Sequence, residues 1–127
     1  RWRQEHDEPH QVIIVDQMGW LANLYALAGL AYVGGSFGPG VHNVLEPAAH
    51  GCYVLFGPRN LNSQEAQHLI GRGGAQAIAT TADLDSILLC FAKTPEELAR
   101  GGAQALALVQ ENMGASDRVV DRLLNPA

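Results

Sequence analysis

Leu30-Ala31-Tyr32-Val33-Gly34-Gly35-Ser36-Phe37-Gly38-Pro39-Gly40-Val41-His42-Asn43-Val44-Leu45-Glu46-Pro47 joins a short apolar run to a glycine-rich turn and then to a helix start. Leu30–Val33 is too short for a helix and reads as a buried strand. Four glycines within seven residues follow. They let backbone approach a ligand closely and leave N–H groups unused. Residues 43–51 read as a short helix, whose N-terminal end adds donors and a positive dipole end. Cys52-Tyr53-Val54-Leu55-Phe56 then reads as another strand, closed by Gly57-Pro58.

The same alternation extends in both directions. Upstream, Val12–Val15 is a β-branched run that reads as a strand buried on both faces. Between Gly19 and Gly29, the residues Leu21, Leu24, Tyr25 and Ala28 form one helical stripe. Downstream, 63–72 reads as a helix capped by Asn62 or Ser63. Ala75–Ala79 reads as a weaker strand, and 83–92 as a helix capped by Thr81 or Asp83. Thr94-Pro95-Glu96-Glu97 starts a helix with proline at its first position and acids in its first turn. That helix runs toward Glu111, with Gly101-Gly102 weakening or bending it. A last amphipathic helix covers 116–124. Strands alternating with helices predict a parallel α/β sheet. The whole of 1–127 reads as one domain, with its closing helices at about 94–125.

In such sheets ligands bind beyond the carboxyl ends of the strands. The Gly34–Gly40 loop there suits an anion without needing lysine. It matches neither G-x-x-x-x-G-K-[ST] nor G-x-G-x-x-G. Glu46 has two readings: it reaches back to Asn43 in a capping box, or its carboxylate accepts from a vicinal diol, as acids do on nucleotide ribose. His42 either donates to a phosphate oxygen or satisfies the loop backbone. Arg59 is an anion contact or a solvated loop residue. Gly34-Gly35-Ser36-Phe37-Gly38 also fits the G-x-S-x-G nucleophile elbow. Pro39 and Gly40 delay the helix that an elbow needs, and the acid and base would have to be Glu46 or Glu65 and His68. Trp20, Tyr32 and Tyr53 are expected at core margins.

Composition narrows the function. The chain has 127 residues, 47% hydrophobic and 17% charged, with 8 Lys+Arg against 13 Asp+Glu. Lys93 is the single lysine, which argues against nucleic acid or an anionic membrane as main partner. Cys52 and Cys90 lack metal or redox spacing and read as buried thiols of a reducing compartment. No third ligand accompanies His42 and Glu46, so no metal is expected. No apolar run reaches the roughly 18 residues of a membrane span. The polar start lacks an initiator methionine and is not a signal peptide.

Taken in order, Val-Asp-Gln-Met-Gly (15–19), Val-Gly-Gly-Ser (33–36), His-Asn-x-Leu-Glu-Pro (42–47), Val-Leu-Phe-Gly-Pro (54–58) and Glu-Asn-x-Gly-Ala-x-x-Arg (111–118) resemble the C-terminal half of 3-deoxy-D-manno-octulosonic acid (Kdo) transferase, the lipid A glycosyltransferase of Gram-negative bacteria. The resemblance runs from about Val12 to Leu124. It implies a Rossmann-like parallel sheet flanked by helices, the donor-binding C-terminal lobe of a two-lobed GT-B fold. It implies transfer of Kdo from CMP-Kdo to a lipid A precursor in lipopolysaccharide biosynthesis, without a cofactor or a metal at the donor phosphate. Carried over by position, Met18 and Gly19 lie by the cytidine. Gly34, Gly35 and Ser36 lie near phosphate and sugar. Asn43 reaches the phosphate region, His42 the donor carboxylate or phosphate, and Glu46 the ribose hydroxyls. The family usually has Gly and Pro where Val41 and Val44 stand here, and an acid where Trp20 stands. Its Pro-Arg-His donor segment, catalytic carboxylate and membrane-anchoring helix lie upstream of this region. The resemblance therefore implies no catalytic residue in these 127 residues and no activity of this part alone. Acceptor and membrane contacts fall to the missing lobe, the full enzyme sits at the cytoplasmic face of the inner membrane, and this part is soluble. The remaining alternatives are the nucleotide-binding lobe of another GT-B enzyme and an α/β-hydrolase using Ser36.

Overall fold

The computed structural model describes Val12, Ile14, Val15, residues 19–41 and residues 43–124, with side chains described as far as Met113. The strands β1 (Leu30–Val33), β2 (Tyr53–Phe56) and β3 (Ala75–Ala77) form one parallel sheet in the order β1-β2-β3. Leu30 pairs with Tyr53 and Val33 with Phe56, while Val54 pairs with Ala75. The helices are α1 (Leu21–Leu27), α2 (Leu45–Ala49), α3 (Gln64–Arg72), α4 (Thr81–Lys93) and α5 (Pro95–Leu124). The parallel α/β architecture expected from the alternation is therefore present.

β2 lies in the middle and is buried along its whole length, as its continuous apolar sequence requires. On one face Val33, Val54, Phe56 and Ala75 pack against Val44, Ala48, Ala66, Leu69, Ala105 and Leu108 from the helices. On the other, Tyr53, Leu55 and Ile78 pack with Ile87 of α4, and the Tyr53 and Phe91 rings meet edge to face at 5.0 Å. Each large side chain fully buried in this way contributes about 1.5–3 kcal/mol.

Local chemistry sets most helix ends. Ser63 is the α3 cap, its side chain accepting from the Ala66 N–H, and Gly73 closes the helix at φ 79°. α4 starts at Thr81, and its cap is Thr80, one residue before the nearer expected cap. Thr80 accepts from the Asp83 N–H, and Asp83 accepts from the Ala79 and Thr80 N–H groups at 2.9 and 3.1 Å. The last two bonds tie the chain leaving β3 to the first turn of α4. They hold the Asp83 carboxyl below the usual carboxylate range. A lowered folded-state pKa gives stability above the unfolded pKa that is lost as pH falls through the folded one. Asp83→Asn is thus expected to lower Tm at neutral pH. The gap to the native protein closes below about pH 4, which thermal melts across pH 2–7 will check. A persistent gap at low pH would contradict the assignment.

Several expectations are corrected. Val12, Ile14 and Val15 lie in no strand, and Val12 and Ile14 are each 81% exposed. A four-residue strand holds only when a neighbour completes its ladder, and these residues do not pair with β1. The α1 stripe buries no residue. Trp20 and Tyr32, at 47% and 49% exposed, agree with a place at the core margin, but Tyr53 is buried in the core. Cys52 is buried, with its thiol donating to the Tyr25 and Ala28 carbonyls, but Cys90 is exposed on α4. The two closing helices are one helix of 30 residues. A single glycine such as Gly114 costs about 1 kcal/mol in a helix and does not have to end it. Gly101 and Gly102 are buried within that helix where it crosses Tyr53 and Gly51. Arg72 and Glu111 join α3 to α5 through a two-pronged ion pair at 2.6 and 3.0 Å. Each holds the other in its charged form, although an exposed pair of this kind adds little stability.

Candidate functional site

The carboxyl ends of the three strands release three loops to one edge of the sheet: 34–44, 57–63 and 78–80. The glycine-rich loop leaves β1 at Gly34, which is exposed with open space above it. Gly35 has φ 97°, and its carbonyl accepts from the N–H groups of both Gly38 and Gly40. That tight turn needs the left-handed backbone glycine allows. The second loop holds it from outside. Arg59 donates its N–H to the Ser36 carbonyl at 2.8 Å and accepts from the Val41 N–H at 3.1 Å. Its guanidinium donates to the Gly38 carbonyl at 3.0 Å. Arg59 is thus exposed yet bonded to the loop, and not a free solvated side chain.

Ser36 is fully buried, and among the described residues its Oγ has no hydrogen-bond partner. This contradicts the nucleophile-elbow reading. An elbow serine must project from the sheet edge toward its base, whereas His68 is exposed on α3. Phe37, next in sequence, is 59% exposed. It borders an apolar groove of about 610 Å³ lined with Tyr32, Ile78, Thr80 and Leu84.

α2 begins at Leu45, two residues later than expected. Asn43 Oδ1 accepts from the Leu45 N–H at 2.9 Å, a local Asx turn that shapes the entry. Val44 occupies the cap position without a side-chain bond, held there by near-complete burial. Glu46 stands in the first turn of α2. Among the described residues its carboxylate accepts no hydrogen bond from Asn43, so the capping-box reading of this pair fails. α1 packs against α2, and the Tyr25 hydroxyl is pushed up in pKa by burial and then by the negative charge of Glu46. Asn43 also lines a second hollow of about 420 Å³ with Val41, Leu45, Asn62 and Glu65.

The fold therefore brings Gly34, Gly35, Ser36, Asn43, Glu46 and Arg59 to the same end of the sheet. Gly19, at φ 92°, is exposed just before α1. Met18 and His42 lie outside the described residues. Sequence reasoning missed Asn62 as part of this loop system. Its only signal was an asparagine left over once Ser63 is the helix cap.

A parallel sheet flanked by helices, with a glycine loop at its carboxyl edge leading into a helix start, is the Rossmann-like architecture of a GT-B lobe. The chain is homologous to the C-terminal domain of 3-deoxy-D-manno-octulosonic acid transferases, as the order of its motifs indicated. The transferase of Chlamydophila psittaci is 36% identical over 113 residues, 86% of this chain and 26% of that protein. That of Haemophilus influenzae is 35% identical over 123 residues, 94% of this chain and 29% of that protein. The crystal structure of the C-terminal CMP-Kdo binding domain of WaaA from Acinetobacter baumannii matches with a TM-score of 0.62 and 34% identity. The match covers 76% of this chain and 51% of that one. No family model matches the chain. The chain spans little more than a quarter of the length of these two curated relatives.

Proposed function

We propose that this chain is the donor-binding part of a glycosyltransferase that moves Kdo from CMP-Kdo to a lipid A precursor. The observation that carries the reading is the pairing of the Gly34–Gly40 turn with the α2 start at the carboxyl edge of the sheet, in a chain similar to a CMP-Kdo binding domain. Gly38, Gly40 and Val41 spend their N–H groups within the loop system, so the N–H groups of Gly34, Gly35 and Ser36 and the helix end stabilise the donor phosphate in place of a metal. Gly34, Gly35 and Ser36 pass close to phosphate and sugar, with Asn43 toward the phosphate. Glu46 accepts from the ribose hydroxyls. Met18 and Gly19 face the cytidine, and His42 the donor carboxylate or phosphate. Arg59 supplies a cation at the rim while bracing the loop.

The acceptor, the catalytic carboxylate and attachment to the cytoplasmic face of the inner membrane belong, on this reading, to the remainder of the enzyme. Among the described residues no helix is long and apolar enough to cross a membrane. Titration with CMP, followed by amide NMR, is expected to shift signals across Gly34–Glu46, and UDP is expected to act more weakly. Preference for UDP would assign the lobe to another GT-B branch. No response to either nucleotide would overturn the reading.

A further inference from the structure

We propose that Asn62 is a positioning residue that sets the register of the glycine-rich loop for the donor, an inference that rests on the donor-binding reading above. The loop must travel from Val33 at the end of β1 to Leu45 at the start of α2 without regular structure. Such a segment keeps one path only where other groups satisfy its backbone. Asn62 does this at its far end. Its Oδ1 accepts from the Val41 N–H at 3.2 Å, and its Nδ2 donates to the Val41 carbonyl at 3.1 Å. The carboxamide therefore pairs with Val41 as a neighbouring strand's peptide group would.

Gly40 completes the fit. Its φ is 155°, and a Cβ there would stand 2.7, 2.8 and 2.9 Å from the three outer atoms of that carboxamide. The side chain thus lies directly on the loop backbone, in space only glycine leaves open. Val41 is buried, and its N–H is shared with the Arg59 carbonyl at 3.1 Å, so a displaced carboxamide would strand the Val41 carbonyl away from water. Two residues further on, Asn43 bends the chain into α2. Asn62 and Asn43 line the same hollow. The position of Val41 therefore sets where the chain re-enters at Asn43, and the Asn62 carboxamide, together with the Arg59 carbonyl, holds Val41 in place. Ser63, not Asn62, caps α3, so the asparagine has no competing duty there.

The test compares three variants for Tm and for CMP affinity at a temperature where each is folded. Asn62→Ala is expected to weaken CMP binding about tenfold, and Asn62→Asp to weaken it too, because it keeps the acceptor but turns an oxygen toward the Val41 carbonyl. Gln67→Ala is the control. Its side chain braces the 57–62 loop through Asn60 without touching the glycine loop. It is expected to lower Tm yet leave CMP affinity within about twofold. The Val41 amide resonance should move in both Asn62 variants and stay in place in the control. Native-like affinity in Asn62→Ala would overturn the proposal, as would an equal loss in Gln67→Ala. If Asn62→Ala does not fold, native-like affinity in Asn62→Asp overturns it. Failure of the native protein to bind CMP removes the donor reading and the proposal with it. Native binding with unchanged variants removes the proposal alone.

Discussion

Gly102→Ala is expected to destabilise the protein by about 2 kcal/mol and to lower Tm by about 6–10 °C. Helix propensity alone argues for the opposite sign, since alanine is better than glycine in a helix interior by about 1 kcal/mol. Packing decides the outcome. A Cβ on Gly102 would run into the Gly51 carbonyl oxygen, and one on Gly101 into the Tyr53 ring. Gly51 is backbone at φ 79° in the turn between α2 and β2, so it cannot move aside as a flexible side-chain tip would. Overpacking of this kind costs about 1–3 kcal/mol and occasionally more. The facing position Gly74 repeats the geometry against Ala105. α5 thus lies on the sheet only because small residues sit at these crossings. A differential scanning measurement showing unchanged or raised Tm in Gly102→Ala would contradict this packing.

Glu46→Gln is expected to weaken CMP binding about 10- to 100-fold while shifting Tm by no more than about 2 °C. The substitution keeps the shape and removes the charge. A carboxylate accepts from two hydroxyls with charge-assisted bonds, and a carboxamide offers one neutral acceptor. Little stability is at stake, because no capping bond to Asn43 exists to be lost. Loss of the charge also removes one of the influences raising the Tyr25 hydroxyl pKa. The tyrosine should therefore ionise at lower pH in the variant, a change readable by ultraviolet titration. Unchanged CMP affinity by calorimetry would exclude Glu46 from the donor site.

Much of the architecture was legible from local pattern. The apolar runs of β1 and β2 are long enough to be recognised and too short to be helices. Ser63 and Pro95 mark helix starts by chemistry confined to one turn. The glycine loop was legible as a turn, because four glycines stand between a strand and a helix. Where local pattern misled, the missing term was a neighbour. Val12–Val15 has strand composition, but strand formation needs a paired ladder. The α1 stripe has helical spacing, but spacing does not supply a surface to cover it. Cys90 looked buried because its neighbours are apolar, although the Leu88 and Leu89 beside it are themselves exposed on α4.

The order of the motifs by itself determined the kinship of this chain and the parallel α/β alternation, because both are written in consecutive residues. Only the tertiary structure decided which groups hold the loop. Val41 meets Asn62 across 21 residues of sequence, and Arg59 meets Gly38 across the same separation. It also decided that Ser36 points into the protein, that Glu46 is no capping partner, and that α5 runs unbroken across glycines pressed on Gly51 and Tyr53. Each of these depends on two segments arriving at one place. Periodicity and propensity act within a few residues and carry no information about which distant backbone group stands opposite.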